Sequence, residues 1–324
     1  MKRVGFSFLA GLLLIFDLHS ASLQAKERVN LIYASISGLF MGPWVAQEAG
    51  YFDREGLEVK LIYIQSASTA MQAMMAGEAS IVLSGGEPAV ESGLKGGDAV
   101  FIAGIAAVPA VYIMAVPEIR SVQDLRGKPV GVTRYGSSTD FAMRQVLKKN
   151  GLEPDRDVPV LQISGGHRAL AAALLKRVVY AATIAPPNNL RAEKGGARIL
   201  VDMAKAGIYF PYASIISTRS YIKKNRAVAL AFMKAYSDAL KRIVNDKPFT
   251  IAVLKKYMRD DDPEVLESTY KYALEYMVRV PYPTKEGVAE LLRQSKDPRA
   301  KNAVPENFID DGLVRELEQK GAYR

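Results

Sequence analysis

Short, almost unbroken apolar runs alternate along this chain with stretches whose apolar positions recur every three or four residues. That pattern predicts parallel strands buried on both faces and linked by helices. The run at 31–34 leads into Ser35-Ile36-Ser37-Gly38 and a helix holding Trp44 and Ala49. The run at 59–64 leads into Gln65-Ser66-Ala67-Ser68-Thr69 and a helix over 70–76. The same order then returns: 130–133 leads into Arg134-Tyr135-Gly136-Ser137-Ser138 and a helix over 141–149. Next, 160–163 leads into Ser164-Gly165-Gly166-His167 and a helix over 168–175. Each copy aims small hydroxyl and glycine residues at helix starts, whose unpaired N–H groups favour an anion. Two copies face to face predict a cleft for a small ligand.

Between the copies, a strand at 81–83 precedes Ser84-Gly85-Gly86-Glu87 and a helix over 88–94, followed by an apolar strand at 99–106. The runs at 111–116 and 213–218 read as matching crossover strands. From Tyr221 onward the pattern is helical. Val228, Phe232, Ala235, Tyr236, Ala239, Leu240 and Ile243 fall on one face, and Asp262-Pro263-Glu264 starts a further helix. The expected architecture is α/β: lobe 1 over 26–116 and 213–324, interrupted by lobe 2 over 117–212. Two strands form the hinge, and the C-terminal helices pack on lobe 1.

Residues 1–25 differ from the rest. Lys2 and Arg3 precede an apolar run over 4–16, and Ser20, Ala21, Ser22 and Ala25 follow, which is the order of a cleavable export signal and implies a periplasmic protein. The chain has no cysteine, which excludes disulfides, thiolate metal sites and a cysteine nucleophile. Of two histidines, His19 lies in the expected signal, leaving His167 alone, too few for a histidine-built metal site or catalytic triad. The reading is therefore a binding protein rather than an enzyme, with no metal and no cofactor. Net charge is +9, but the basic residues occur as pairs such as Lys148-Lys149 and Lys255-Lys256. Without tracts or interleaved aromatics they are solvated helix faces, not a nucleic-acid surface.

Several motifs, in order, resemble the nitrate/sulfonate/taurine branch of ABC-transporter substrate-binding proteins, to which thiamine-pyrimidine-synthase-like proteins are also related. They are Gly50-Tyr51-Phe52-Asp53-Arg54-Glu55-Gly56-Leu57-Glu58-Val59, Gln72-Ala73-Met74-Met75-Ala76-Gly77-Glu78, and Asp124-Leu125-Arg126-Gly127-Lys128-Pro129-Val130-Gly131-Val132. Gly136-Ser137-Ser138-Thr139, Ala192-Glu193-Lys194-Gly195-Gly196-Ala197-Arg198-Ile199-Leu200 and Tyr282-Pro283-Thr284 continue the match. The resemblance implies a type II periplasmic-binding-protein fold, a monomeric receptor and an inner-membrane permease with its ATPase as partner. It implies a small ligand such as a sulfonate, a carboxylate or nitrate. Three departures stand out. Ser80 and Tyr180 replace the family's aspartates before a strand, which points to altered packing. Ile184-Ala185-Pro186-Pro187-Asn188-Asn189 replaces an aromatic-Glu-Pro motif, which argues against an amine-bearing ligand. The absence of cysteine argues against the histidine-consuming pyrimidine chemistry of some relatives. The alternatives are an enzyme of thiamine-pyrimidine or related metabolism on the same fold, and a sensory ligand-binding protein.

The candidate ligand residues follow from the loops at the strand ends. Ser37, Gly38, Ser66, Ser68 and Thr69 would form one wall, with Ser84, Gly85 and Glu87 beside it. Gly136, Ser137 and Ser138 would form the other. Each serine could instead cap its helix. Arg134 or His167 could offset an anionic charge, Phe40 could supply an apolar rim, and Pro186 and Asn188 could touch the ligand from the loop they share.

Overall fold

The computed structural model describes residues 25–106 and 108–324; the expected export signal lies, apart from Ala25, outside the described residues. The first part of the chain runs β1 (Glu27–Tyr33), α1 (Gly42–Glu48), α2 (Tyr51–Arg54), β2 (Leu57–Tyr63), α3 (Ala67–Met75), β3 (Ile81–Ser84), α4 (Glu87–Leu94) and β4 (Ala99–Ala106). It continues with β5 (Tyr112–Ala115), β6 (Val130–Val132), α5 (Ser138–Lys149), β7 (Val160–Gln162), α6 (Gly166–Leu175), β8 (Ala181–Ile184), α7 (Asn188–Lys194) and β9 (Arg198–Asp202). After β10 (Ala213–Thr218) come α8 (Arg219–Lys224), α9 (Arg226–Asn245), α10 (Lys247–Met258), α11 (Pro263–Tyr276), α12 (Lys285–Gln294) and α13 (Gly312–Gln319).

The strands form two five-stranded mixed sheets, ordered β2-β1-β3-β10-β4 and β7-β6-β8-β5-β9. Position by position the orders correspond, so the repeat visible in the sequence is a repeat of architecture. Central strands β3 and β8 are buried along their whole length, as is β4 at its sheet's edge, whereas edge strands β2 and β7 expose alternate or successive residues. Burial on both faces explains the continuous apolar runs. In-register parallel pairing from Glu27↔Leu57 to Tyr33↔Tyr63 brings the ends of β1 and β2 level, with the two tyrosine rings 5.4 Å apart.

Two strands depart from expectation. The run at 111–116 was expected in lobe 1, but Tyr112–Ala115 hydrogen-bonds antiparallel to β8 and β9 in the second sheet. The stretch of the first sheet therefore ends at Ala106, and β10 is the antiparallel strand that returns to it, between β3 and β4. A short apolar run carries no mark of which sheet buries it. Edge strand β9 was not anticipated: its residues are half-buried or exposed, and its alternation is correspondingly weak.

The C-terminal helices cover the first sheet. α9 packs on α1 and α2, α13 on α9 and β4, and α12 on α4. The apolar stripe read on α9 is the face it buries, with Phe232, Ala235, Tyr236 and Ala239 inaccessible. Phe232 stacks on Phe52 at 5.5 Å and Tyr236 lies over Gly42, where a Cβ would come within 2.3 Å of the ring. The two turn substitutions are absorbed by backbone. Ser80 accepts the Ser217 hydroxyl on its carbonyl at 2.7 Å, and Lys128 lies over the Tyr180 ring at 4.7 Å. No helix among the described residues is long and apolar enough to cross a membrane.

Candidate ligand-binding cleft

The carboxyl ends of strands from both sheets converge on one cavity of ≈ 40 Å³. The first sheet supplies Ala34 and Ser35 after β1, then Tyr63, Gln65, Ser66 and Ala67 around the end of β2, and Gly85 after β3. The second supplies Thr133 after β6, Ser137, Ser138 and Thr139 at the start of α5, and Gly166 and His167 at the start of α6. Phe40 and Tyr212 complete the lining. This much space holds a few waters.

Three side-chain hydrogen bonds tie the halves together around this cavity, and Arg191 with Asp260 and Lys194 with Asp262 do so farther out. The Ser138 hydroxyl donates to Glu87 Oε2 at 2.6 Å, Arg134 Nη1 donates to Thr69 Oγ1 at 3.0 Å, and the Gly165 N–H donates to Gln65 Oε1 at 2.8 Å. The first bond needs Gly85. A Cβ there would sit 1.7 Å from Ser138 Oγ and 2.8 Å from Glu87 Oε2, so only a hydrogen lets the two lobes approach.

The hydroxyls expected to cap helices do something else. Ser66 and Ser137 occupy the residues before α3 and α5, yet neither side chain caps. Ser137 donates to the Arg134 carbonyl at 2.7 Å and joins Thr133 and Thr139 in a cluster with oxygens 2.8–3.2 Å apart. Ser66 lies against Ser68 at 3.0 Å and holds φ at 81°, strain that persists only where surrounding structure enforces it. Residues at the starts of α3, α5 and α6 thus line the cavity, and no side chain caps the first N–H groups of these helices. Ser35, which lines the cavity, is buried and its hydroxyl has no partner; Ser37 beneath it is the same.

Charge is arranged unexpectedly. His167 Nδ1 lies 3.2 Å from the Ala185 N–H and 3.3 Å from the Thr183 carbonyl oxygen, so it accepts from the first in one neutral tautomer and donates to the second in the other. Burial pushes its pKa down to about 4, so at neutral pH the ring is not a cation. Arg134 is engaged by Thr69 and does not line the cavity. The counter-charge expected from either residue is absent from the wall. Glu87 is buried, and desolvation pushes its carboxyl up to about 7 despite the Ser138 bond.

Of the residues expected from sequence, Phe40, Ser66, Gly85, Ser137, Ser138 and His167 line the cavity. The others stand behind or beside it. Gly38 is closed against α11, where a Cβ would meet the Thr269 carbonyl oxygen at 2.7 Å. Ser84 donates to the Gly85 carbonyl at 3.0 Å, and the Gly136 N–H donates to Asp140 at 2.9 Å. Pro186 forms a cis peptide bond with Pro187, and the Asn188 amide oxygen accepts from Arg191 at 3.3 Å; neither reaches this cavity. Ser35, Tyr63, Gln65, Thr133, Thr139 and Tyr212 were missed. The first five sit in or beside the loops already singled out, while nothing in the sequence around Tyr212 signals a cleft. Among the described residues no cluster of three or more His, Asp or Glu side chains is arranged to hold a metal ion.

The NMT1/THI5-like family model matches residues 38–248. A putative binding protein, YtlA, of Bacillus subtilis (strain 168) is 24% identical over 274 residues, 82% of each chain. A solved structure from Bordetella bronchiseptica RB50 superposes with a TM-score of 0.81 at 22% identity, covering 92% of this chain and 98% of that one. The periplasmic aliphatic sulphonate binding protein SsuA of Escherichia coli gives a TM-score of 0.67 at 20% identity, covering 89% and 91%. The chain thus has the type II periplasmic-binding-protein fold and belongs to the NMT1/THI5-like family.

Proposed function

We propose that this protein captures a small anionic organic solute, a sulfonate or carboxylate or nitrate-like ion, between lobes spanning 27–106 with 213–324 and 112–202. One observation carries the reading: three helix starts and a cluster of hydroxyls from both sheets face a single cavity at the strand ends. Each helix start concentrates about half a positive charge, and neutral donors there can hold an anion without a cationic side chain. The sulphonate-binding relative supports the choice of anion. Ligand contacts with both walls would favour the closed arrangement, which an inner-membrane permease recognises before its ATPase drives uptake. The protein works as a monomer in the periplasm, turns nothing over and uses no cofactor.

Calorimetric titration with ethanesulfonate, propanoate and nitrate tests this. One of these classes is expected to bind, with a fall in radius of gyration by solution scattering. Ser137→Ala and Thr139→Ala should each weaken binding about tenfold or more, as expected for a hydrogen bond to a charged group. Failure of every anion to bind, or unchanged affinity in both variants, would reject the site.

A further inference from the structure

A second set of contacts joins the lobes away from the cleft cavity, between α7 of the second lobe and residues 260–264, which open α11 in the first. Arg191 on α7 is paired with Asp260. Lys194, one turn on, is paired with Asp262 at 3.4 Å and with Glu264 at 2.7 Å. Isolated exposed ion pairs contribute little, because holding two long side chains in one geometry offsets most of the Coulomb gain. Here three of the groups are already held within their own lobe. Arg191 donates to the Asn188 amide oxygen at 3.3 Å. The Asp260 side chain is 8% exposed and accepts the Asp262 N–H at 3.2 Å. Asp262 caps α11, accepting the Glu264 N–H at 2.9 Å. The second lobe thus offers two cations and the first lobe three acids, most of them oriented before they meet.

The far end of α11 is fixed where the chain leaves the first sheet. The Val278 N–H donates to the Ile105 carbonyl at 2.9 Å, and the Tyr272 hydroxyl donates to the Ala110 carbonyl. One helix therefore connects the ion pairs to the crossover about which the lobes would turn. We propose that α7 and the start of α11 form an electrostatic latch that holds the ligand-free protein closed. Solute binding then adds to a bias that the ion pairs have already set. None of the five charged residues lines the cleft cavity, so the inference stands apart from the choice of anion. Loss of all three pairs should lower the ratio of closed to open molecules about tenfold.

The chain has no cysteine, so spin labels on Gln72→Cys and Arg168→Cys, exposed positions on α3 and α6, report the distance between the lobes. Pulsed electron-spin distance measurements are made on the labelled chain dialysed free of solute. At 20 mM NaCl a single short distance should dominate. Arg191→Ala with Lys194→Ala, and separately Asp260→Asn, should add a longer one, and 500 mM NaCl should do the same without either change by screening the pairs. Arg126→Ala removes an ion pair to Asp157 inside the second lobe and should leave the distribution as it was. Circular-dichroism melts of each variant distinguish opening from unfolding. A long distance already dominant at 20 mM NaCl, latch variants that keep the parent distribution, opening indifferent to salt, or an equal response to Arg126→Ala overturns the inference.

Discussion

Gly85→Ala isolates closure from folding. Gly85 does not occupy a positive-φ conformation, so alanine suits its backbone. The added methyl carbon would nonetheless fall 1.7 Å from Ser138 Oγ and 3.0 Å from Ser138 Cβ, both on the other lobe. With the lobes apart, neither atom is in the way, and the one close atom left on the same lobe, Glu87 Oε2 at 2.8 Å, is the end of a flexible side chain that can turn aside. The substitution therefore acts on the closed state and removes the buried Ser138–Glu87 hydrogen bond. A hydrogen bond to a carboxyl of this kind contributes about 1.5–3 kcal/mol. At about 1.4 kcal/mol per decade, ligand affinity should fall roughly tenfold to a hundredfold. The assay is calorimetry with the anion that binds best to the wild type, alongside scattering measurements with and without it. Thermal midpoints of the ligand-free proteins should agree closely, because the lobes' separate cores are untouched. Wild-type affinity and full contraction in Gly85→Ala would show that the closed geometry is not the one that holds the ligand. A large drop in the ligand-free midpoint would show that the two lobes melt as one packed body.

Other outcomes follow from the same geometry. Glu87 has its folded pKa raised to about 7 from 4.5, so the stability it permits is full below pH 4.5 and is lost as pH rises through 7. The loss is of order 3 kcal/mol, and denaturant titrations at pH 5 and pH 8 should show it in the wild type and not in Glu87→Gln. His167 has the opposite sign: with its pKa lowered to about 4, its contribution is present above 6.5 and is lost as pH falls toward 4. Nitrogen-15 spectra should therefore show a neutral ring at pH 6, and a protonated ring there would contradict its burial. Arg134→Ala removes a partly exposed interlobe bond and should weaken ligand binding only about twofold to tenfold. Gly42→Ala, by driving a methyl group into the Tyr236 ring, should destabilise the first lobe by about 1–3 kcal/mol in a denaturant melt.

Much of the fold was legible because parallel strands buried on both faces must be apolar throughout, and the intervening helices must present an apolar stripe. Both signals are local. What was not legible was non-local. The strand at Tyr112–Ala115 is as apolar as its neighbours, and its sequence is compatible with either sheet; only its pairing with β8 and β9 decides the matter. β9 is a half-exposed edge, so its side chains are under weak constraint and carry a weak pattern. The match between β10 and β5 is readable in the sequence, but that each is the antiparallel strand of its own sheet becomes visible only when the pairings are known.

The site divides along the same line. Strand-end loops with Ser, Thr and Gly at helix starts can be found by position, and those loops do border the cavity. The direction in which each hydroxyl turns is set by distant groups. Ser137 donates to the Arg134 carbonyl and lies against the Thr133 and Thr139 hydroxyls instead of capping the helix N–H groups. His167 reads as a cation in sequence, yet burial holds it neutral. Arg134 reads as the natural anchor for an anion, yet Thr69 on the opposite lobe receives its guanidinium. Glu87 reads as a helix-start carboxylate interacting with the dipole, yet the decisive fact is that closure buries it against the Ser138 hydroxyl. Charge in this cleft is thus a product of assembly. The residues that carry formal charge in the sequence are neutralised or engaged, and the donors that remain belong to backbone and hydroxyl groups. A receptor built so would bind an anion through hydrogen bonds whose geometry exists only when both lobes are in place. Selectivity and closure would then be one property, since removing any cross-lobe contact loosens the donors along with the lobes.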